Sequence, residues 1–143
     1  MPAGEFRPLF DRDWPTLLDP AVFAHDHGEW ETNYHQEVAG LHDPEHDRFV
    51  TLAEEDGRIL GFVGWNVTNA DSGRLDLVAV DSPARCRGVG HAICCAVLDR
   101  MKAQGVRVVH VGTGGDTFHA PARRLYESLG FTALPAVDYS KAI

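Results

Sequence analysis

The sequence predicts an α/β fold of the α+β kind: a mixed, mostly antiparallel central sheet flanked by helices. Three observations carry that expectation. Two alternating stretches, R-F-V-T-L-A-E and I-L-G-F-V-G-W-N-V, are joined by the hairpin signal Glu55-Asp56-Gly57-Arg58. An apolar run (Leu75, Leu77, Val78, Ala79, Val80) ends at Asp81-Ser82-Pro83 and gives way to apolar residues at Val89, Ile93, Ala96, Val97 and Met101, a helical spacing. A further strand and helix follow, V-R-V-V-H-V-G-T at 106–113 and residues 120–129. With 143 residues, 44% of them hydrophobic, the chain can bury one core, so residues 1–143 are expected to form a single domain.

In chain order, residues 5–10 read as a short first strand. Asp13 is placed to cap a helical turn in which Trp14 is the first residue and Leu17 and Leu18 face inward. Residues 20–47 are polar and rich in acids and histidines. Gly28, Gly40 and Pro44 divide them, which predicts one or two short helices with loops. Strands are expected at 48–54, 59–67 and 74–80, with a turn at 69–73. A helix begins near Val89 and stops at Gly105. Gly114-Gly115-Asp116 is a loop, and the next helix turns Ala122, Leu125 and Leu129 to one face, with Gly130 just past its end. Phe131 and the tail A-L-P-A-V-D-Y are expected to finish the sheet.

The basic turn Arg85-Cys86-Arg87-Gly88-Val89-Gly90 is the stretch with the most chemical content. Strand, glycine turn and helix together aim backbone N–H groups and a positive helix end at an anion. Glycine lets the main chain approach where a side chain would block it. The dinucleotide fingerprint fails, because Ile93 stands where its third glycine belongs, and the P-loop fails for want of Gly-Lys-Ser/Thr. On these residues alone, a phosphate cradle of another type and a plain turn with solvated arginines both stay open.

Arg85-x-x-Gly88-x-Gly90 after L-V-A-V-D resembles the acetyl-CoA-binding motif of the GNAT N-acetyltransferase superfamily. A second stretch, H-A-P-A-R-R-L-Y-E-S-L-G-F at 119–131, is similar to that family's helix ending in a Tyr-Glu-x-x-Gly-Phe signature. The two motifs stand in the family's order, and the likeness covers roughly residues 49–140. It implies a GNAT fold and transfer of an acetyl group from acetyl-CoA, as cosubstrate, to a primary amine by direct attack. The acceptor would be a small molecule or a protein amine, and homodimers are common in such families.

The resemblance also implies roles. Backbone N–H groups from Arg87, Gly88, Val89, Gly90 and His91 would hold the pyrophosphate, with Arg85 and Arg87 adding charge and Cys86 in the same turn. Val78, Ala79 and Val80 would pair with the pantetheine arm as an added strand, and one of their N–H groups would meet the developing oxyanion. Tyr126 matches the tyrosine that protonates the departing thiolate; packing is its structural alternative. Asp76 is the candidate general base, and strand alternation would set it on one face with Val78 and Val80. Glu29, Glu31 and His35 are further candidates from the acceptor side, where 20–47 is the stretch least like the family. His119 stands where many relatives carry an asparagine against the pantetheine arm, and an imidazole can still donate one hydrogen bond.

Two alternatives belong beside this reading. One is a non-catalytic acyl-CoA-binding module. The other is a metal-binding protein built on His25, His27, His35, His42 and His46, although Pro44 interrupts any helix that would align the last two. The formal charge of −8 argues against a nucleic-acid surface and suits an amine substrate. There is no run of about 20 apolar residues to span a membrane. With no signal-like N-terminus and an odd three cysteines, the expected location is the cytoplasm, with no disulfides. Cys94 and Cys95 read as small hydrophobes on a core-facing helix, and Cys86 as exposed.

Overall fold

Asp56 and Gly57 both have positive φ, 51° and 78°, the two-residue reversal whose twist suits an antiparallel hairpin. They close β1 (Arg48–Glu55) onto β2 (Arg58–Asn69), with Glu55 opposite Arg58. A second tight turn leads into β3 (Ser72–Val80), antiparallel to β2. Helix α3 (Val89–Ala103) then carries the chain across to β4 (Val108–Val111), which runs parallel to β3. The order β1-β2-β3-β4 is the mixed, mostly antiparallel sheet expected. The computed structural model describes residues 6–143. They divide into two units, Gly40–Thr132 and, separately, residues up to Ala39 with Ala133–Ile143.

In the first unit, α3 packs on the sheet. Ile93, Cys94, Val97 and Met101 meet Val63, Trp65, Leu75 and Val106 in one buried cluster. Ile93, Val97 and Met101 recur every four residues, which is why they share a face. Ala96, expected among them, is exposed, and Cys94 fills the core instead. Trp65 is fully buried, and its Nε1–H donates to Thr51 Oγ1 at 3.0 Å, so the indole leaves no unsatisfied donor. Helix α4 (Ala120–Ser128) sets Leu125 and Leu129 against the same cluster and ends at Gly130, φ 86°.

Strand β3 contains a bulge that repositions everything after it. Gly64 pairs with Leu77 but Trp65 pairs with Leu75, so Asp76 is the extra residue. Before the bulge, Gly73 and Leu75 face α3: a Cβ on Gly73 would touch Met101, and Leu75 lies in the buried cluster. After it, Val78 packs on that cluster and Val80 lies beside Gly90 of α3. Simple alternation had put Asp76 on the face of Val78 and Val80. The inserted residue breaks the alternation and leaves Asp76 on the opposite face, with Asn66 and Arg74.

In the second unit, Asp19 caps α1 (Pro20–His27), accepting from Ala21 and Val22 N–H at 2.9 and 3.4 Å, with Pro20 at the first helical position. Helix α2 (Trp30–Ala39) follows. The expected strand at 5–10 does not form where it is described: Pro8 is helical (φ −58°, ψ −34°) and Leu9–Asp13 is a helical turn. Proline has no N–H for a sheet ladder. Glu5 lies outside the described residues. Asp13 precedes the turn Trp14–Thr16 but does not cap it, because its carboxylate takes Arg12 Nε at 2.7 Å. Leu17 is 71% exposed rather than inward. The tail adds no strand either: residues 131–143 carry no regular structure, and Leu134, Val137, Tyr139 and Ile143 are exposed. Pro135 interrupts the stretch that was to pair.

Candidate active site

The turn between β3 and α3 begins where Asp81 N–H donates to Leu60 O at 2.8 Å. Ser82–Ala84 makes a single 3-10 turn anchored by buried Ala84. Arg85 is then extended, Cys86 takes φ 58° and Gly88 φ 78°. Two left-handed residues within three positions curl the chain into the first turn of α3, where Gly88 stands as N-cap with no side-chain cap. A helix's first amides have no intrahelical acceptor, so without a cap they remain available to an anion. Residues 85–88 are all exposed, while Gly90 is closely packed. A Cβ there would press on Val80 Cγ2 at 3.3 Å and Leu125 Cδ2 at 3.4 Å.

Beside this turn the sheet is open. β4 matches β3 only from Ser72 to Leu75, and beyond that register β3 has a strand neighbour on one side alone. Asp81 donates toward β2, so alternation along the regular segment directs the N–H and C=O of Ala79 to β2 and those of Val78 and Val80 to the open edge. The Val80 carbonyl accepts from Arg85 Nε at 3.0 Å, as that geometry requires. Arg87 meets Glu55 at 3.3 Å on the surface.

Helix α4 brings Tyr126 to the α3 side of the sheet. Burial first, then the neighbouring Cys94 thiol, pushes its phenol up to about 12, so it keeps its proton through the neutral range. Its ring meets Phe131 edge-on at 6.0 Å. Burial raises Cys94 itself to about 11, which makes it an inert core thiol. Cys95, one position on, turns out of the core and lies 3.5 Å from His91 Nδ1; adjacent helical residues cannot share a face.

Asp76 sits across the sheet from Tyr126. Both its oxygens accept from Asn66 Nδ2, at 2.8 and 2.7 Å, and Arg74 Nε is 3.8 Å away. These partners fix the direction of the carboxylate at the bulge.

His119 begins α4, and its ring is not alone. Nδ1 lies 2.7 Å from Asp116 Oδ2, while the His119 backbone N–H donates to Asp116 Oδ1 at 3.2 Å. Arg123 Nη1 donates to the carbonyls of Gly114 and Asp116 and so closes the loop. Burial works against the Asp116 charge, but its bonds to His119 outweigh it and hold the carboxyl below the usual range. Sequence reasoning missed Asp116 and Asn66. The D-x-x-H spacing was the available signal for the first, and nothing local marked the second.

The other candidates lie apart from one another. Glu31 pairs with Arg7 at 2.9 Å, and His35 meets the Tyr34 ring edge-on at 5.8 Å. His42 Nδ1 accepts from Val50 N–H, and His46 pairs with Asp43 in a 3-10 turn, not a helix. His27 is surrounded by Phe10, Trp14 and Phe23. Among the described residues no three His, Cys, Asp or Glu side chains gather as a metal set, and no helix is long and apolar enough to cross a membrane. A groove of about 510 Å³ at the far end of α3, lined by Leu98, Lys102 and Arg107 among others, contains none of these candidates.

A family model described as the acetyltransferase (GNAT) family matches residues 5–131. A mycothiol acetyltransferase of Thermomonospora curvata is 40% identical over 88 residues, covering 61% of this chain and 28% of its own. One from Acidothermus cellulolyticus is 33% identical over 146 residues, covering 88% and 43%. The chain thus spans less than half the length of these curated relatives. Among solved structures, a GNAT family acetyltransferase from Elizabethkingia anophelis with acetyl-CoA bound superposes with a TM-score of 0.60 at 17% identity, over 73% of this chain and 63% of that one. That likeness is one of fold.

Proposed function

Because this chain belongs to the acetyltransferase (GNAT) family, we propose that it transfers the acetyl group of acetyl-CoA to a primary amine by direct attack within a ternary complex. The observation that carries the reading is the open edge of β3 beyond Leu75, set beside an uncapped helix N-terminus. One end suits a phosphate group and the other suits an amide-bearing arm laid along a strand.

In this reading the first amides of α3 and the side chains of Arg85 and Arg87 hold the pyrophosphate. Val78 and Val80 present N–H groups at the edge, and one of them stabilises the oxyanion as the amine nitrogen attacks the thioester carbonyl. Such a donor contributes roughly 3 kcal/mol when preorganised. As the C–S bond breaks, Tyr126 gives its proton to the thiolate sulfur. The proton shed by the amine passes to Asp76, directly or through water. The bulge separates these tasks: Tyr126 works from the α3 face and Asp76 from the opposite one.

The acceptor we propose is a small cationic amine. Residues 13–47 hold nine Asp and Glu and no Lys or Arg, a field that concentrates cations. The mycothiol activity of the relatives belongs to proteins more than twice this length.

Calorimetric titration with acetyl-CoA, using CoA and NADH as comparators, tests the donor; thiol release with a panel of amines tests turnover. Micromolar binding of acetyl-CoA with acceptor-dependent thiol release is expected. Binding without release for any amine would favour the acyl-CoA-binding module, and no binding would overturn both.

A further inference from the structure

Asp116 and His119 form a built pair. Their side chains are only 16% and 21% exposed, and a single carboxylate holds both the ring and the backbone N–H of His119. A Cβ on Gly114 would run into the Asp116 carboxylate and His119 Nδ1, so a larger residue there would have to displace the pair. Arg123 then ties the carbonyls on either side of Gly115.

A carboxylate has no proton to donate, so at 2.7 Å the bond must run from Nδ1–H to Asp116. In a neutral imidazole the other nitrogen, Nε2, is then an acceptor. This reverses the expectation that His119 would donate to a bound arm.

The place of the pair gives that acceptor a use. The chain leaves β4, and with it the edge of β3, after Val111, and the loop that follows ends at His119. The helix it starts packs Leu125 near Gly90 and sets Tyr126 beside Cys94, so α4 flanks the first turns of α3. A pantetheine arm carries two amide N–H groups that need acceptors. On the open edge of β3, Val80 O is already engaged by Arg85, which leaves Val78 O.

We propose that Asp116 is a positioning residue for acetyl-CoA binding: it holds His119 in the Nδ1–H tautomer, so that Nε2 accepts a pantetheine amide N–H. The proposal rests on the acetyl-CoA reading above.

The test pairs spectroscopy with kinetics on the full chain. Long-range ¹H–¹⁵N spectra of histidine-labelled protein report the tautomer directly. In its neutral form, wild-type His119 is expected to carry its proton on Nδ1 and to leave Nε2 bare. Asp116→Asn keeps an oxygen for the backbone N–H but can offer its amide to the ring. It should lose the tautomer signature and raise KM for acetyl-CoA about tenfold, with kcat within about threefold, the scale of one hydrogen bond. In a His119→Gln background, where no tautomer exists, Asp116→Asn should add nothing to KM. An Nε2–H tautomer in wild type overturns the proposal. So does an Asp116→Asn protein with unchanged tautomer and KM, or a full further loss in the His119→Gln background. Failure of wild type to bind acetyl-CoA at all would instead overturn the underlying reading, which the NMR result alone does not touch.

Discussion

Arg85 Nε donates to the carbonyl oxygen of Val80 at 3.0 Å, tying the first arginine of the basic turn to the last residue of β3. One side chain therefore links the proposed phosphate end of the site to its amide end. Arg85→Gln should weaken acetyl-CoA binding about tenfold, as expected for losing one charge-assisted contact. The same variant titrated with acetyl-pantetheine separates the two duties. Loss with acetyl-CoA alone identifies a phosphate role, and equal loss with both identifies the tie to Val80.

Gly88→Asp should fold but not bind. A Cβ at this position meets nothing within 4 Å, so the cost to stability is the strain of φ 78° in a non-glycine residue, about 1 kcal/mol. The added carboxylate faces the anion site. Calorimetry should show acetyl-CoA affinity lost, while Gly88→Ala, with the same strain and no charge, keeps part of it. Wild-type affinity in Gly88→Asp would remove the turn from the binding site.

Tyr126→Phe should lower kcat by about 10²–10⁴-fold and leave acetyl-CoA affinity within about threefold, as for a lost general acid. Alkaline stability gives a second readout. The phenol is raised to about 12 in the folded chain against about 10 unfolded, so the unfolded state releases its proton first. The stability this group contributes is intact below pH 10 and is lost as pH climbs toward 12. Thermal melts across that window should show wild type falling faster than Tyr126→Phe.

Thr51→Val leaves the buried Trp65 Nε1–H without its acceptor. A stranded donor costs about 1–3 kcal/mol, and urea denaturation should show that loss with an unchanged m-value.

What could be read in advance was what local chemistry dictates. Asp56-Gly57 specifies its hairpin, and the spacing of Ile93, Val97 and Met101 specifies a buried helical face. The two glycine-bearing motifs pointed to the right family. The bulge was not legible, because an extra residue in a strand changes register without changing composition; Asp76 was assigned the wrong face for that reason. The tail alternates like a strand, yet Pro135 interrupts the run. Leu17 followed a helical pattern that ends after Thr16, so the pattern overstated its burial. Asp116 could be paired with His119 only once the loop closed by Arg123 had brought carboxylate and ring together.

The short seam between β3 and β4 has a thermodynamic corollary. Four registered pairs, Ser72–Leu75 against Val108–Val111, are all that join the two strands, and parallel pairing is the weaker kind. If an occupant of the open edge extends that seam, ligand occupancy and sheet cooperativity become one quantity. Amide exchange at Val109 and Val111 would then slow whenever the edge is filled, so the seam would act as an internal gauge of saturation.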